Sequence, residues 1–266
     1  MPSVLYPPPR PLTIGEVLDS AFAIFKGTLI KCLPYGLLAM VAGQLQSIYD
    51  VATGRPLGSH DAGWWWSFGL GTMAMIALWS AVVLRQKAVL DQRPTAIGSD
   101  LIAGLRALPS MVAVLLFGLV AGAIGLVLLV IPGLSVLLAI PLAGLAVLLG
   151  GQGPTQALGQ SWRLISNNAL RVFTIFSVGV SMVLVFDMLM FMLVAVLLQF
   201  AGTGDLTVVT SYLPVVVIAL GAITAPFLCA LGLATYGDLQ ARYAIRVAAP
   251  AAQGAQSAPA PGERVS

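Results

Sequence analysis

Between Ser110 and Gly150 the chain runs for about 41 residues without a charged side chain and without Asn, Gln or His. A helix rises about 1.5 Å per residue, so this stretch extends to roughly 60 Å. A bilayer's hydrocarbon core is about 30 Å thick and is crossed by about 20 apolar residues. The run therefore fits two crossings. Pro132-Gly133 lies a little past the middle of it. Pro removes a helical hydrogen bond and Gly tolerates a reversed backbone, so a turn is expected there. This predicts a hairpin of helices over 110–131 and 134–150.

The rest of the composition agrees. Charged residues make up only 9% of the chain and the mean hydropathy is +0.97, where a soluble domain carries about 25% charge. Lipid offers no hydrogen bonds, so only helices or closed barrels cross it. The apolar runs are continuous rather than alternating, so the expectation is an all-α membrane protein. Six transmembrane helices are predicted, at about 29–49, 64–84, 110–131, 134–150, 170–200 and 211–236. Three amphipathic helices (13–28, 95–108, 154–168) are expected in the cytoplasmic interface. The first opens on Thr13 and Glu16, a capping-box pair. Residues 1–12 read as a Pro-rich extended arm, 13–246 as one helical domain, and 247–266 as a disordered Ala/Pro/Gln-rich tail.

With six spans and an internal N-terminus, twelve of the thirteen Lys and Arg residues fall on one side, leaving Arg55 alone on the other. That segregation is what the positive-inside rule predicts, and it places both termini in the cytoplasm. Trp64-Trp65-Trp66 forms an aromatic belt at the opposite face. The basic residues flank spans and form no cluster, so the net charge of +3 gives no nucleic-acid footprint. The expected partners are the bilayer itself, anionic lipids and other membrane proteins.

The three amphipathic stretches superpose on Ile14-Gly15, Ile97-Gly98 and Leu158-Gly159. Three residues after each Gly stands Leu18, Leu101 or Trp162. Seven after stands Phe22, Leu105 or, as a departure, Ser166. Each stretch precedes two spans, which suggests three copies of one unit in the same orientation.

Several segments also resemble a bacterial family, the membrane domain of some glycerophosphoryl diester phosphodiesterases and of stand-alone membrane proteins. They are Arg10 to Asp19 (RPLTIGEVLD), Leu129 to Gly133, Gly153 to Leu164 (GPTQALGQSWRL) and Tyr236 to Arg242 (YGDLQAR). Gly151-Gln152 stands where that family often has an acidic residue before the Gly-Pro segment. The resemblance implies about six helices and the bacterial cytoplasmic membrane. It does not imply phosphodiesterase activity, because the hydrolase of those fusions is a separate soluble domain.

Few residues could carry chemistry. Asp187 lies in an otherwise apolar run, where an acidic group costs on the order of 2.5–3.5 kcal/mol at a span centre. It reads either as a protonatable or cation-binding group facing a cavity, or as a packing residue bonded to Gln44, Thr72 or Thr224. Arg106, Arg163 and Arg171 are candidate contacts for anionic lipid. The methionines 182, 188, 190 and 192 read as lipid-facing packing, and His60, the only histidine, as a solvated loop residue. Cys32 and Cys229 read as buried hydrophobes. Gly118, Gly122 and Gly125 read as close helix contacts. No catalytic, cofactor or metal set is visible. The functional expectation is a non-enzymatic scaffold or accessory membrane subunit, with a carrier or channel using Asp187 as the alternative.

Overall fold

The computed structural model describes residues 6–54, 60–94, 96–128, 130–200 and 206–256. Within them the chain forms eight helices and no strand: α1 (Ile14–Gly43), α2 (Leu45–Ala52), α3 (Ala62–Leu90), α4 (Ile97–Leu128), α5 (Val130–Gly150), α6 (Pro154–Ile165), α7 (Ala169–Phe200) and α8 (Leu206–Gln256). Five of them (α1, α3, α4, α7 and α8) are long and apolar enough to cross a membrane, and α5 contributes a shorter apolar segment, Ser135–Gly150. The protein is therefore an all-helical, multi-pass membrane protein.

α1 begins where the capping box predicts. The Thr13 hydroxyl accepts from the Glu16 N–H, and the Glu16 carboxylate accepts from the Thr13 N–H. The first two amphipathic stretches are not separate interfacial helices, however. α1 continues through Pro34 and α4 through Pro109 without a break. Both prolines are exposed, so the carbonyls they deprive lie on the outer side of the helix. Only the third stretch is free-standing, as α6. Pro154 occupies its first turn, where a missing N–H costs nothing.

Three further boundaries differ from expectation. The first span ends at Gly43, and residues 45–52 form the separate α2. α4 ends at Leu128 and α5 begins at Val130, so Pro132-Gly133 fall in the first turn of α5 rather than between the two helices. There proline is tolerated, so it marks a helix start rather than the turn. The tail does not leave the helix at 247, because Ala248, Ala249, Ala251 and Ala252 are strong helix formers and α8 continues to Gln256. Residues 257–266, the Gly202–Asp205 turn and Arg55 lie outside the described residues.

Antiparallel neighbours approach through small residues. Gly36 of α1 abuts the Ala222 backbone of α8, Gly71 of α3 abuts Ala42 of α1, and Gly104 of α4 abuts Ala77 of α3. A Cβ at these positions would lie 2.7, 2.3 and 2.5 Å from a carbonyl oxygen. Gly118 and Gly122 seat Ile140 and Leu137 in the α4–α5 hairpin, as the sequence suggests. α6 folds back on α5, where the Ser161 hydroxyl donates to the Ala139 carbonyl at 2.7 Å. Gln86, fully buried on α3, donates from Nε2 to the Pro226 carbonyl of α8 at 2.7 Å. α7 is held by its first half only, where Val172, Ile175 and Gly179 are buried.

The repeat has a structural counterpart. Two residues after the shared Gly, Val17, Asp100 and Ser161 are buried. Six after, so are Ala21, Gly104 and Ile165. Seven after, Leu105 and Ser166 are exposed, whereas Phe22 lies against the Phe227 ring of α8, with 4.8 Å between ring centres. The shared glycines themselves meet nothing: a Cβ at Gly15, Gly98 or Gly159 has no neighbour within 4 Å.

These contacts predict opposite outcomes for two glycines. Gly36→Leu should destabilise by about 1–3 kcal/mol through overpacking. Gly159→Ala should be neutral or stabilising by up to about 1 kcal/mol from helix propensity. Thermal unfolding of the detergent-solubilised variants separates the two.

Candidate functional site

Two polar clusters are built into the apolar bundle. In the first, Arg85 of α3 meets Asp100 of α4, with Nε 2.6 Å from Oδ2 and side chains only 10% and 6% exposed. Tyr35 of α1 closes the triangle. Its hydroxyl accepts from Arg85 Nη2 at 3.0 Å and donates to Asp100 Oδ2 at 3.2 Å. The same hydroxyl also lies 3.3 Å from the Ile97 carbonyl, in the first turn of α4. A buried guanidinium and a buried carboxylate are each costly alone. Here each supplies the other's partner, and three helices are fixed to one another.

The second cluster centres on Asp238 of α8, whose side chain is fully buried. Its Oδ1 accepts the Leu12 backbone N–H at 2.7 Å. Its Oδ2 accepts Nε of Arg171 (α7) at 3.1 Å and Nε of Arg242, one turn along α8, at 3.0 Å. Both arginines then extend Nη2 to the Leu12 carbonyl, at 2.5 and 2.6 Å. The two backbone groups of Leu12 are thus gripped between α7 and α8, immediately before α1 begins. The described part of the arm, residues 6–12, is non-helical as expected, but it lies on the bundle. Tyr6 and Pro8 sit over Gly237, where a Cβ would come 2.8 Å from the Tyr6 ring. The Lys87 ammonium lies 4.7 Å from the centre of that ring and also pairs with Asp91. Burial, with Tyr236 and Asp91 nearby, pushes the Tyr6 phenol up, so it stays neutral.

Asp187 lies on the stripe of α7 that continues from Val172, Ile175 and Gly179 through Val183, and it is half-buried. Its Oδ1 is shut off from solvent and has no hydrogen-bonding partner among the described residues. None of the three partners suggested by sequence meets it, and Thr224 instead donates to the Leu220 carbonyl of its own helix. The three arginines also divide. Arg106 and Arg163 are exposed, whereas Arg171 is committed to Asp238 and Leu12. Met182, Met188 and Met192 are exposed along α7. His60 is exposed and lies edge-on to Trp64, with 4.5 Å between ring centres. Cys32 and Cys229 are free and pack in the same apolar cluster. No group of three metal-ligating side chains occurs among the described residues.

Three cavities accompany these features. One of about 320 Å³ lies among α3, α4, α5, α7 and α8, with Trp79, Met111, Leu145 and Phe176 in its wall. Another of about 290 Å³ lies among α1, α7 and α8, bounded by Phe22, Phe25, Phe186 and Phe227. The third, about 190 Å³, lies beneath the arm. The first two are walled almost wholly by apolar side chains.

The Asp238 clasp could not be foreseen from charge counting, which treats Arg171 and Arg242 as topology markers. The one available signal was an Asp standing four residues before an Arg on a helix that is otherwise apolar.

Fold and clusters together define a multi-pass helical membrane protein whose interior charges are paired across helices. The model of one family, described as Domain of unknown function (DUF7847), matches residues 65–239, and the chain belongs to that family. The match takes in Arg85, Asp100, Arg171, Asp187 and Asp238, whereas Leu12, Tyr35 and Arg242 lie beyond it. No curated protein and no solved structure matches the chain.

Asp238→Ala should be the most damaging single change at this end. It strands two guanidiniums and an N–H, and the loss should fall near the lower end of the about 3–5 kcal/mol for breaking a buried pair, since both arginines are partly exposed. Thermal unfolding together with protease cleavage within residues 6–12 would register it. Gly237→Leu should free the arm to cleavage while leaving the melting temperature nearer to wild type.

Proposed function

We propose that this protein is a non-enzymatic membrane component, a scaffold or accessory subunit that acts through other proteins. It crosses the bacterial cytoplasmic membrane six times, with α5 as the sixth crossing and both termini inside. The observation that carries the reading is the use made of interior charge. Arg85, Asp100, Arg171, Asp238 and Arg242 all hold helices or the arm in place, and the larger cavities are apolar. A protein built this way invests its polar groups in rigidity. The segregation of basic residues in the sequence supports the orientation, and the resemblance to phosphodiesterase membrane domains, which accompany a separate catalytic domain, supports an accessory role.

One observation favours the second reading, a carrier for a lipid or small solute. Asp187 keeps a buried oxygen with no hydrogen-bonding partner among the described residues, one residue from Phe186, which bounds the α1–α7–α8 cavity. In-membrane cross-linking followed by purification of the full chain should give a defined complex with another membrane protein, unchanged by Asp187→Asn. Solute or lipid movement in reconstituted vesicles that Asp187→Asn abolishes would overturn the accessory reading in favour of the carrier.

A further inference from the structure

We propose that residues 6–12 are a strap over an anion site, and that an anionic phospholipid headgroup displaces the strap by taking Arg171 and Arg242 from the Leu12 carbonyl. The inference rests only on the protein's place in a membrane and is independent of the accessory reading.

The site is built before any ligand arrives. Asp238 Oδ2 receives Nε from both arginines, at 3.1 and 3.0 Å, which fixes the two guanidinium planes. Their Nη2 groups then converge on a single oxygen, the Leu12 carbonyl, at 2.5 and 2.6 Å. That oxygen stands where a phosphate oxygen would. It is a neutral acceptor held by two cations, and a phosphate oxygen there gains charge-assisted bonds that are stronger. Lifting the strap leaves both Nε bonds to Asp238 in place, so the donors stay aimed. Arg246, one turn beyond Arg242, is exposed and has no acidic partner among the described residues. Two guanidiniums thus share one carboxylate, with a third, Arg246, one turn further along α8, a positive balance that suits a headgroup.

The strap is seated loosely enough to leave. All of its hydrogen bonds to α7 and α8 among the described residues are made by Leu12. The Arg10–Glu16 pair tethers it only to α1 and is exposed. Beneath it lies the cavity of about 190 Å³, bounded by Tyr6, Pro8 and Pro9 above and by Ser20, Ile24 and Ala234 below. The Tyr6 hydroxyl is buried without a hydrogen-bonding partner among the described residues, a cost that release removes. The sequence expectation that Arg171 meets anionic lipid is thereby recast: Arg171 does so only once the strap is off.

The test places a cysteine on the strap, Pro8→Cys in the full chain, and follows its maleimide labelling in nanodiscs, with the signal from the native cysteines subtracted. Discs containing phosphatidylglycerol should label several-fold faster than discs of phosphatidylcholine alone. Adding Arg242→Gln should make labelling fast in both and erase the lipid dependence. Arg246→Gln, at an exposed position, should weaken the lipid dependence. Equal labelling in the two lipids, or slower labelling with phosphatidylglycerol, would overturn the proposal. So would acceleration by inorganic phosphate in phosphatidylcholine discs to the same extent, which would assign the site to a soluble anion.

Discussion

A carboxylate with no access to water governs how this chain begins and ends. Asp238 cannot remain charged in an apolar interior unless its lone pairs are filled, and the partners that fill them are Arg242 one turn along and two distant residues, Leu12 and Arg171. The same contacts set where α1 starts and how α7 meets α8. Once α1 is placed, the close approaches at Gly36 and Gly71 bring in α8 and α3. The Arg85–Asp100–Tyr35 triangle then joins α4 to that core. Elsewhere the helices meet through apolar contact, which is abundant but indifferent to register. The few charges decide which of the many oily arrangements is adopted.

Much of this architecture was legible in the sequence, because lipid leaves so few choices. Helix class, the presence of several long apolar helices and the cap at Thr13 follow from hydropathy and local hydrogen bonding. What proved illegible is where one helix stops and the next begins. Pro34 and Pro109 do not end their helices, because each lies on an exposed face where the lost bond is borne. Pro132-Gly133 reads as a turn, yet proline is equally at home in the first turn of a helix. Amphipathic patterning at 13–28 and 95–108 predicts helices lying in the interface. The same pattern suits a helix running on into the bundle with its polar side turned outward.

The site was less legible than the fold. Asp187 stood out because it is isolated in sequence, and isolation is what hydropathy detects. Asp238 and Asp100 lie close to other polar residues along the chain, so nothing marked them, although both end up buried. Isolation in sequence and burial in space are different properties, and pairing between helices separates them. The repeat illustrates the converse. Its glycines drew notice by identity, whereas what the three copies hold in common is the burial of the second and sixth positions beyond.

Gln86 reaches across to a single carbonyl of α8, and this has a mechanical consequence. A directional bond surrounded by hydrocarbon acts as a pawl. Sliding α3 along α8 by one residue would break it and offer nothing polar in exchange. The bond therefore holds α3 and α8 in one register, and a shear between these two helices has to break it first.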